Sequence, residues 1–368
     1  MKPTRLSVSA LLFASTAMIA TSTSAQSLDD LIAAAQSEPP TTVLAVTGRI
    51  VDTAAAFSEK YGLDVTGRKA NEATQIDLLI REAEANNVQH SVSLAADSAL
   101  IAAELLDRGI VESWVPDDLM EHLPAYARDP LVVVTDPHVW AYNGAAHDTC
   151  PVTNVWQLTE PEWRGRVAIM DPLDKALYAD WFNQLETNHD AEMAAALDAH
   201  NGTTPENGSA TAAWLRAFAA NAPLITDSNG VAEAVGAPGQ DDPFVGMVSV
   251  AKFRDNDDKG YDLTICENLN PFSGWLYPGL GVIATGTQSP ATAKLFIHYL
   301  MTEEGIINQS VDGKIPSDLR IGLPDDEASG VLAHMDSLMV WNNSHDSAVS
   351  DLDHRQDWQD LWVTSLSR

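Results

Sequence analysis

Apolar positions along the chain switch between a period near two and a period near 3.6, and the switching spells out strand, turn and helix in turn. A short helix covers Leu28–Gln36. Thr41–Val46 (TTVLAV) is an apolar run of buried-strand type, and Thr47-Gly48-Arg49 leads into a helical pattern over Ile50–Tyr61 that Gly62 closes. A second strand starts at Leu63–Val65, Thr74–Ala85 is an amphipathic helix, and Ser91–Ala95 is a third strand. Asp97-Ser98 then stands where a cap is needed for a helix over Ala99–Leu106.

The strand in PLVVVTDP leads to Val139–Asn143, and a second series of the same kind follows. It comprises strand Arg166–Met170, turn 171–175, and helices Leu177–Glu186, Asp190–Ala199 and Ala210–Asn221. Strand Pro223–Ile225, helix Val231–Val235 and strand Phe244–Ser249 complete it. An aromatic, turn-rich run over Asn270–Pro278 precedes strand Gly281–Ala284 and a helix with Ser289 as N-cap and Pro290 at its first position. Toward the end the pattern predicts a helix and turn over Glu304–Lys314, a helix over Ala328–Val340, a polar loop over Asn342–Asp351 and a helix over Asp353–Ser365. Trp358 and Trp362 in the last helix read as packing residues. Strands alternating with helices give an α/β protein. No repeat or low-complexity linker separates the two series.

The first residues change the picture of where the protein works. Lys2 and Arg5, an apolar run over Val8–Ala20, and small residues up to Ala25 make a secretory signal peptide over residues 1–25, so the mature protein is expected to be exported. With a formal charge of −31, nucleic acid and anionic membranes are excluded as natural partners, and an anionic ligand would need a local cluster of donors. Two cysteines in an oxidising compartment favour a Cys150–Cys266 disulfide over two buried thiols. Such a bridge closes a loop worth up to about 4 to 5 kcal/mol in the chain-entropy model.

Enzyme signatures are missing: there is no HExxH, G-x-S-x-G, Walker loop or G-x-G-x-x-G, and the ten histidines lack metal-ligand spacing. No metal, cofactor or catalytic residue is therefore expected. The chemistry on offer is that of binding. Thr47 and Gly48 open a helix whose free N–H groups suit an anion, with Arg49 as a bidentate partner or else a plain surface arginine. Asp97 and Ser98 lie at a strand's carboxyl end, where ligands bind in open α/β sheets, though capping alone explains them too. Asp171, and the group Asp227, Ser228 and Asn229, occupy corresponding ends in the second series. Lys252 ends a strand, Trp275 and Tyr277 offer aromatic surface, and Tyr277 is otherwise hinge packing.

The segments FSEKYGLDV, LTEPEWRGRVAIMDP and YPGLGVIATGTQSPATAKLFIHYLMTEEG resemble the extracellular solute-binding proteins of ABC importers, in the subclass that includes ferric-iron binders. The resemblance spans essentially the whole mature chain. It implies a two-lobed periplasmic-binding-protein fold of type II, each lobe a central mixed sheet flanked by helices, joined by hinge strands and closing on a ligand. Lobe 1 would hold residues 26–138 and 275–322, and lobe 2 residues 139–274 and 323–368. The hinge then falls near Val139–Asn143 and Phe272–Tyr277, with the cysteine pair on the second-lobe side of it. A monomeric periplasmic protein that hands its ligand to an inner-membrane ABC permease is the implied function.

Ferric binders of the subclass hold iron with tandem tyrosines at the end of the strand that here reads VGMVSVAKF; this chain has Ala251-Lys252 there and no tyrosine pair. A lysine ammonium opposes a ferric ion. The segments GVAEAVGAPGQ, AKFRDN and RQDWQDLW are similar to binders of sugar phosphates. The expected ligand is accordingly a small phosphorylated sugar or similar organic anion. The alternatives are ferric iron or an iron chelate and, from another class, hydrolysis of phosphate esters by a secreted enzyme.

Overall fold

The computed structural model describes residues 27–205, 208–240 and 242–366; the expected signal peptide, residues 1–25, lies outside them. The chain begins α1 (Leu28–Ala35), β1 (Thr41–Ala45), α2 (Arg49–Tyr61), β2 (Val65–Lys69), α3 (Glu72–Glu84) and β3 (His90–Ala95). Next come α4 (Ser98–Leu100), β4 (Val111–Ser113), β5 (Val132–Asn143), β6 (Val167–Met170), α5 (Ala176–Asn201) and α6 (Ala210–Ala220). The middle closes with β7 (Leu224–Thr226), α7 (Ser228–Gly236), β8 (Val245–Ser249), α8 (Asp255–Lys259) and β9 (Leu263–Ile265). The remainder is β10 (Gly274–Ala284), α9 (Pro290–Leu300), α10 (Glu303–Ser310), β11 (Ile315–Pro316), β12 (Leu338–Val340) and α11 (His345–Ser365).

The strands make one mixed sheet in the order β2-β1-β3-β10-β5-β8-β6-β7, with β4 and β12 added to β10, and β9 and β11 added to β5. Helices flank it, as the α/β reading requires. β1 pairs in parallel with β2 and β3, and β6 with β7 and β8. The two long central strands, β5 and β10, run antiparallel to each other from Gly274 opposite Val139 to Leu280 opposite Val132. Their backbones approach so closely that a Cβ on Gly274 would lie 2.1 Å from the His138 carbonyl oxygen, which leaves glycine as the residue that fits.

Buried apolar residues gather in three clusters. One takes residues between Val139 and Tyr277 and between Val331 and Trp362; the other two take residues between Leu31 and Val134 and between Leu280 and Ile306. The change from one set to the other falls inside β5 and inside β10. Trp358 and Trp362 are buried in the first cluster, as packing residues. Cys150 and Cys266 form the expected disulfide, with Cα atoms 5.0 Å apart.

Local structure departs from the sequence pattern in a few instructive places. The aromatic run before Gly281 is not a turn from Gly274 onward; it belongs to β10, because Trp275 and Leu276 pack into the core while their backbones pair with β5 and β12. The helix expected over Ala99–Leu106 is a single α-turn followed by a π-helical turn, Ile101–Leu105. The helices expected on either side of His189 are one, kinked at that residue. The helix expected over Ala328–Val340 is a 3₁₀ stretch, Val331–Ser337, followed by β12. Much of the expected polar loop over Asn342–Asp351 is already α11, whose cap is Ser344.

Ser289 precedes α9 but does not cap it; its hydroxyl donates to the Pro39 carbonyl at 2.8 Å. The cap comes from Glu38, whose carboxylate accepts from Ala291 N–H at 2.8 Å and Thr292 N–H at 2.7 Å. A carboxylate there also complements the positive end of the helix dipole. Glu38→Ala is expected to cost about 1 to 2 kcal/mol, measured by urea denaturation, whereas Glu38→Gln, which keeps one acceptor, should cost less.

Candidate ligand-binding cleft

Val46 and Thr47 after β1, Ala96 after β3, Met170 at the end of β6 and Ser249 at the end of β8 face a common cleft of about 260 Å³. The central strands supply its floor with Asp136, His138 and Tyr277. Ligands in open α/β sheets sit outside the carboxyl ends of strands, and that is where this cavity lies.

Charge distinguishes it. Five cationic side chains line the cleft, Lys69, Lys175, Lys252, Arg254 and Lys314, against three carboxylates, Glu72, Asp136 and Asp312. Each carboxylate is engaged. Glu72 accepts from Lys175 through both oxygens, at 3.2 and 3.0 Å. Asp136 accepts from the Ser249 hydroxyl at 2.8 Å and lies 3.6 Å from Lys314 Nζ. Asp312, nearly buried, takes Arg49 Nε at 3.1 Å, Arg49 Nη2 at 2.9 Å and Arg254 Nη1 at 3.0 Å. Burial alone would raise the Asp312 pKa, but hydrogen bonding from Arg49 and the charge of Arg254 hold it below the usual carboxylate range. Lys252 is half-buried and donates to Asn229 Oδ1. Burial lowers its pKa; Arg254 and Lys259 add to the effect and Asp255 opposes it. On the floor, burial lowers the His138 pKa against the pull of Asp136, and the ring is stacked 4.3 Å from Trp275 with planes 6° apart.

Of the residues singled out from sequence, Thr47, Ser228, Lys252 and Tyr277 line this cleft. Asp171, Asp227 and Asn229 line a neighbouring cavity that shares Met170, Lys175 and Ser228 with it. Asp227 caps α7 by accepting from Gly230 N–H at 2.8 Å, and Asp171 accepts from Leu173 N–H at 3.0 Å. Gly48 stands at the α2 N-cap in an ordinary right-handed conformation, and the Arg49 guanidinium is turned to Asp312. Asp97 caps α4 at Leu100 N–H and is clasped by Arg355, which also holds Asp180. The Ser98 N–H, the start of that helix, is taken by the Tyr277 hydroxyl at 3.0 Å.

Trp275 corrects an expectation. Its ring is fully buried between His138 and Trp181, so it is a core residue and no part of the cleft wall. Glu72, Asp136, Lys175, Arg254, Asp312 and Lys314 escaped the sequence reading. Asp136 carried a signal, a lone carboxylate inside an apolar strand. Lys175 and Lys314 carried none, because a single lysine in a turn looks like any surface lysine.

A model of the family described as bacterial extracellular solute-binding protein matches residues 20–306. The chain belongs to this family. Among curated proteins none matches the sequence. Solved structures similar to this solute-binding protein include iron-bound HitA from Pseudomonas aeruginosa, with a TM-score of 0.66 at 16% identity, covering 87% of this chain and 99% of that one. The FutA protein of Trichodesmium in complex with iron and citrate gives a TM-score of 0.64 at 15% identity, covering 89% and 99%. The periplasmic binding protein P5PA gives 0.62 at 14% identity, covering 90% and 100%. These likenesses match the two-lobed periplasmic-binding-protein fold. The family is one of binding proteins and not of enzymes, so the phosphate-ester hydrolase falls away. Its members are extracellular and deliver small ligands to a membrane permease.

Proposed function

We propose that this solute-binding protein captures a small organic anion in the cleft and delivers it to an inner-membrane ABC permease. The observation that carries the reading is the five lysine and arginine side chains lining one cavity of a protein with 21 basic and 52 acidic residues. Glu72, Asp136 and Asp312 offset part of this cluster, and the cations in excess of them, set against the field of the rest of the molecule, suit a negatively charged ligand. A sugar phosphate is one such anion, and its phosphate suits the helix starts at Thr47 and Ser228.

The lobes in this reading are residues 26–138 with 275–322 and residues 139–274 with 323–368, exchanging at β5 and β10. An exchange within those two strands is supported by the core clusters, which change over between Val134 and Val139 and between Tyr277 and Leu280, so that Trp275, Leu276 and Tyr277 pack with second-lobe residues. Lys175 with Glu72 and Arg254 with Asp312 would then be ion pairs across the cleft.

A second reading, a ferric complex, is favoured by the iron-bound proteins among the structural neighbours. It has less support from the cleft. Among its described residues Tyr277 is the one tyrosine, and burial with the charges of Asp97 and Asp180 raises its pKa well above the ordinary value. No group of three or more His, Cys, Asp or Glu side chains among the described residues is placed to hold a metal ion. Thermal shift with glucose 6-phosphate, inorganic phosphate, ferric citrate and ferric chloride separates the readings. A ligand at about 100 times its Kd stabilises by about 2.7 kcal/mol. Stabilisation by the iron-free anions is expected, and a response to the two ferric compounds alone would overturn the anion reading.

A further inference from the structure

Beside the cationic cleft lies a second cavity of about 450 Å³. The two share Glu72, Ala96, Lys175 and Leu177, so they are neighbouring compartments with a common wall. The second differs in chemistry. α3 contributes Ile76 and Ile80 to it, the turn after β3 contributes Ala96, α4 contributes Leu100, and α5 contributes Leu177.

Four carboxylates stand at its rim, Glu72, Asp77, Asp97 and Asp174, and the first three are already engaged. Glu72 pairs with Lys175, Asp77 pairs with Arg81 at 2.7 Å, and Asp97 is held by Arg355 and by the Leu100 N–H. A polyhydroxylated body placed here would exchange water for hydrocarbon and lose hydrogen bonds, whereas an apolar body would gain by burial. Sites that take small organic ligands commonly join apolar walls to a few placed charges. Here the two kinds of surface are in separate compartments that meet at Lys175.

We infer that the ligand is amphipathic: its anionic head lies among the lysines and arginine of the cleft, and a non-polar body extends past Lys175 into the compartment lined by Ile76, Ile80, Leu100 and Leu177. This rests on the anion reading above and narrows it. An alkyl or similarly apolar phosphate or carboxylate fits both compartments, while a sugar phosphate fits only the first.

Calorimetric titration of the mature protein with monobutyl phosphate and with inorganic phosphate tests the inference. The butyl ester is expected to bind at least tenfold more tightly than inorganic phosphate. Ile76→Asn should remove most of that preference and leave the affinity for inorganic phosphate unchanged. Ala73→Gln, at an exposed position on the same wall, is a second variant that touches neither the core nor the charge of the adjoining cleft and should act in the same way. Equal affinity for the two phosphates in the unaltered protein, or a preference that survives both substitutions, overturns the apolar compartment while leaving the anion reading standing. Failure of both phosphates to bind overturns both.

Discussion

Replacing Arg355 with methionine is expected to destabilise the protein by about 3 to 5 kcal/mol. The guanidinium donates to Asp180 Oδ1 and Oδ2, both at 2.8 Å, and to Asp97 at 2.8 and 3.2 Å. Its own side chain is 15% exposed, that of Asp97 12% and that of Asp180 0%, so solvent offers little screening. Methionine keeps most of the stem and removes the charge, leaving a buried carboxylate without its cation.

Burial pushes the Asp180 carboxyl up to about 8, with Arg355 pulling against it. Burial likewise works against the charge on Arg355, yet hydrogen bonds and charge from Asp180 and Asp97 leave its pKa raised. Without Arg355 the folded-state pKa of Asp180 rises further, while the unfolded value stays near the ordinary ~3.9. The folded protein then binds more protons than the unfolded one across that window, so stability falls as pH rises through it. The unaltered protein has the same dependence up to about pH 8, so the extra deficit opens above it, and guanidinium denaturation at pH 6 and pH 9.5 should show the larger deficit at pH 9.5. A midpoint shift under 1 kcal/mol, or one equal at both pH values, would remove Asp180 as the cause. Arg355→Lys should recover only part of the loss, because one ammonium cannot form both bidentate pairs.

Charge reversal at Lys252 is expected to have the largest effect on binding. Lys252→Glu exchanges a cation for an anion within the cleft. At an effective dielectric constant between protein surface and water, two units of charge at about 6 Å change the interaction with a monoanion by about 3 kcal/mol, roughly 100-fold in Kd. Lys252 is bonded to Asn229 and not to a buried carboxylate, so the melting temperature without ligand should move little. The affinity for inorganic phosphate, read at 20 and 200 mM sodium chloride, is the measurement. The loss should be larger at the lower salt concentration. Unchanged phosphate affinity in a folded variant would remove the cationic cleft from the function.

What the sequence disclosed, and what it did not, follows from the range of the interactions. Gly62 closes α2 in a left-handed conformation, φ 64°, and the pattern before it was sufficient to place that end. The α9 start shows the opposite case, since its cap, Glu38, is about 250 residues away along the chain and no local pattern points to it. The first turns of α11 read as loop because the residues it buries are Ser347 and Asp351 as well as Ala348. Asp351 is satisfied by Asn183 and Gln184 on α5, at 2.7 and 2.6 Å, and burial raises its pKa to about 6.

The cleft was half legible on the same grounds. Strand ends and helix starts are local, so Thr47 and Ser228 stand out. Lys314 and Asp312 reach the cleft through the fold of a distant segment after α10, and nothing near them in sequence records it. Trp275 was misjudged because an aromatic residue between glycines and prolines reads as exposed, whereas here close pairing with β5 carries it into the core.

The place of β10 in the sheet bears on how the chain reaches this structure. β3 and β5 are each bonded to β10 and not to one another, although both are complete by Asn143 and β10 begins only at Gly274. A chain that emerges amino end first therefore carries two unpaired strand edges until the intervening residues have followed. Contacts so distant in sequence form slowly, and open edges invite pairing with other chains. Completion of the sheet only when β10 inserts, after the whole of the intervening chain is available, is the route this topology favours.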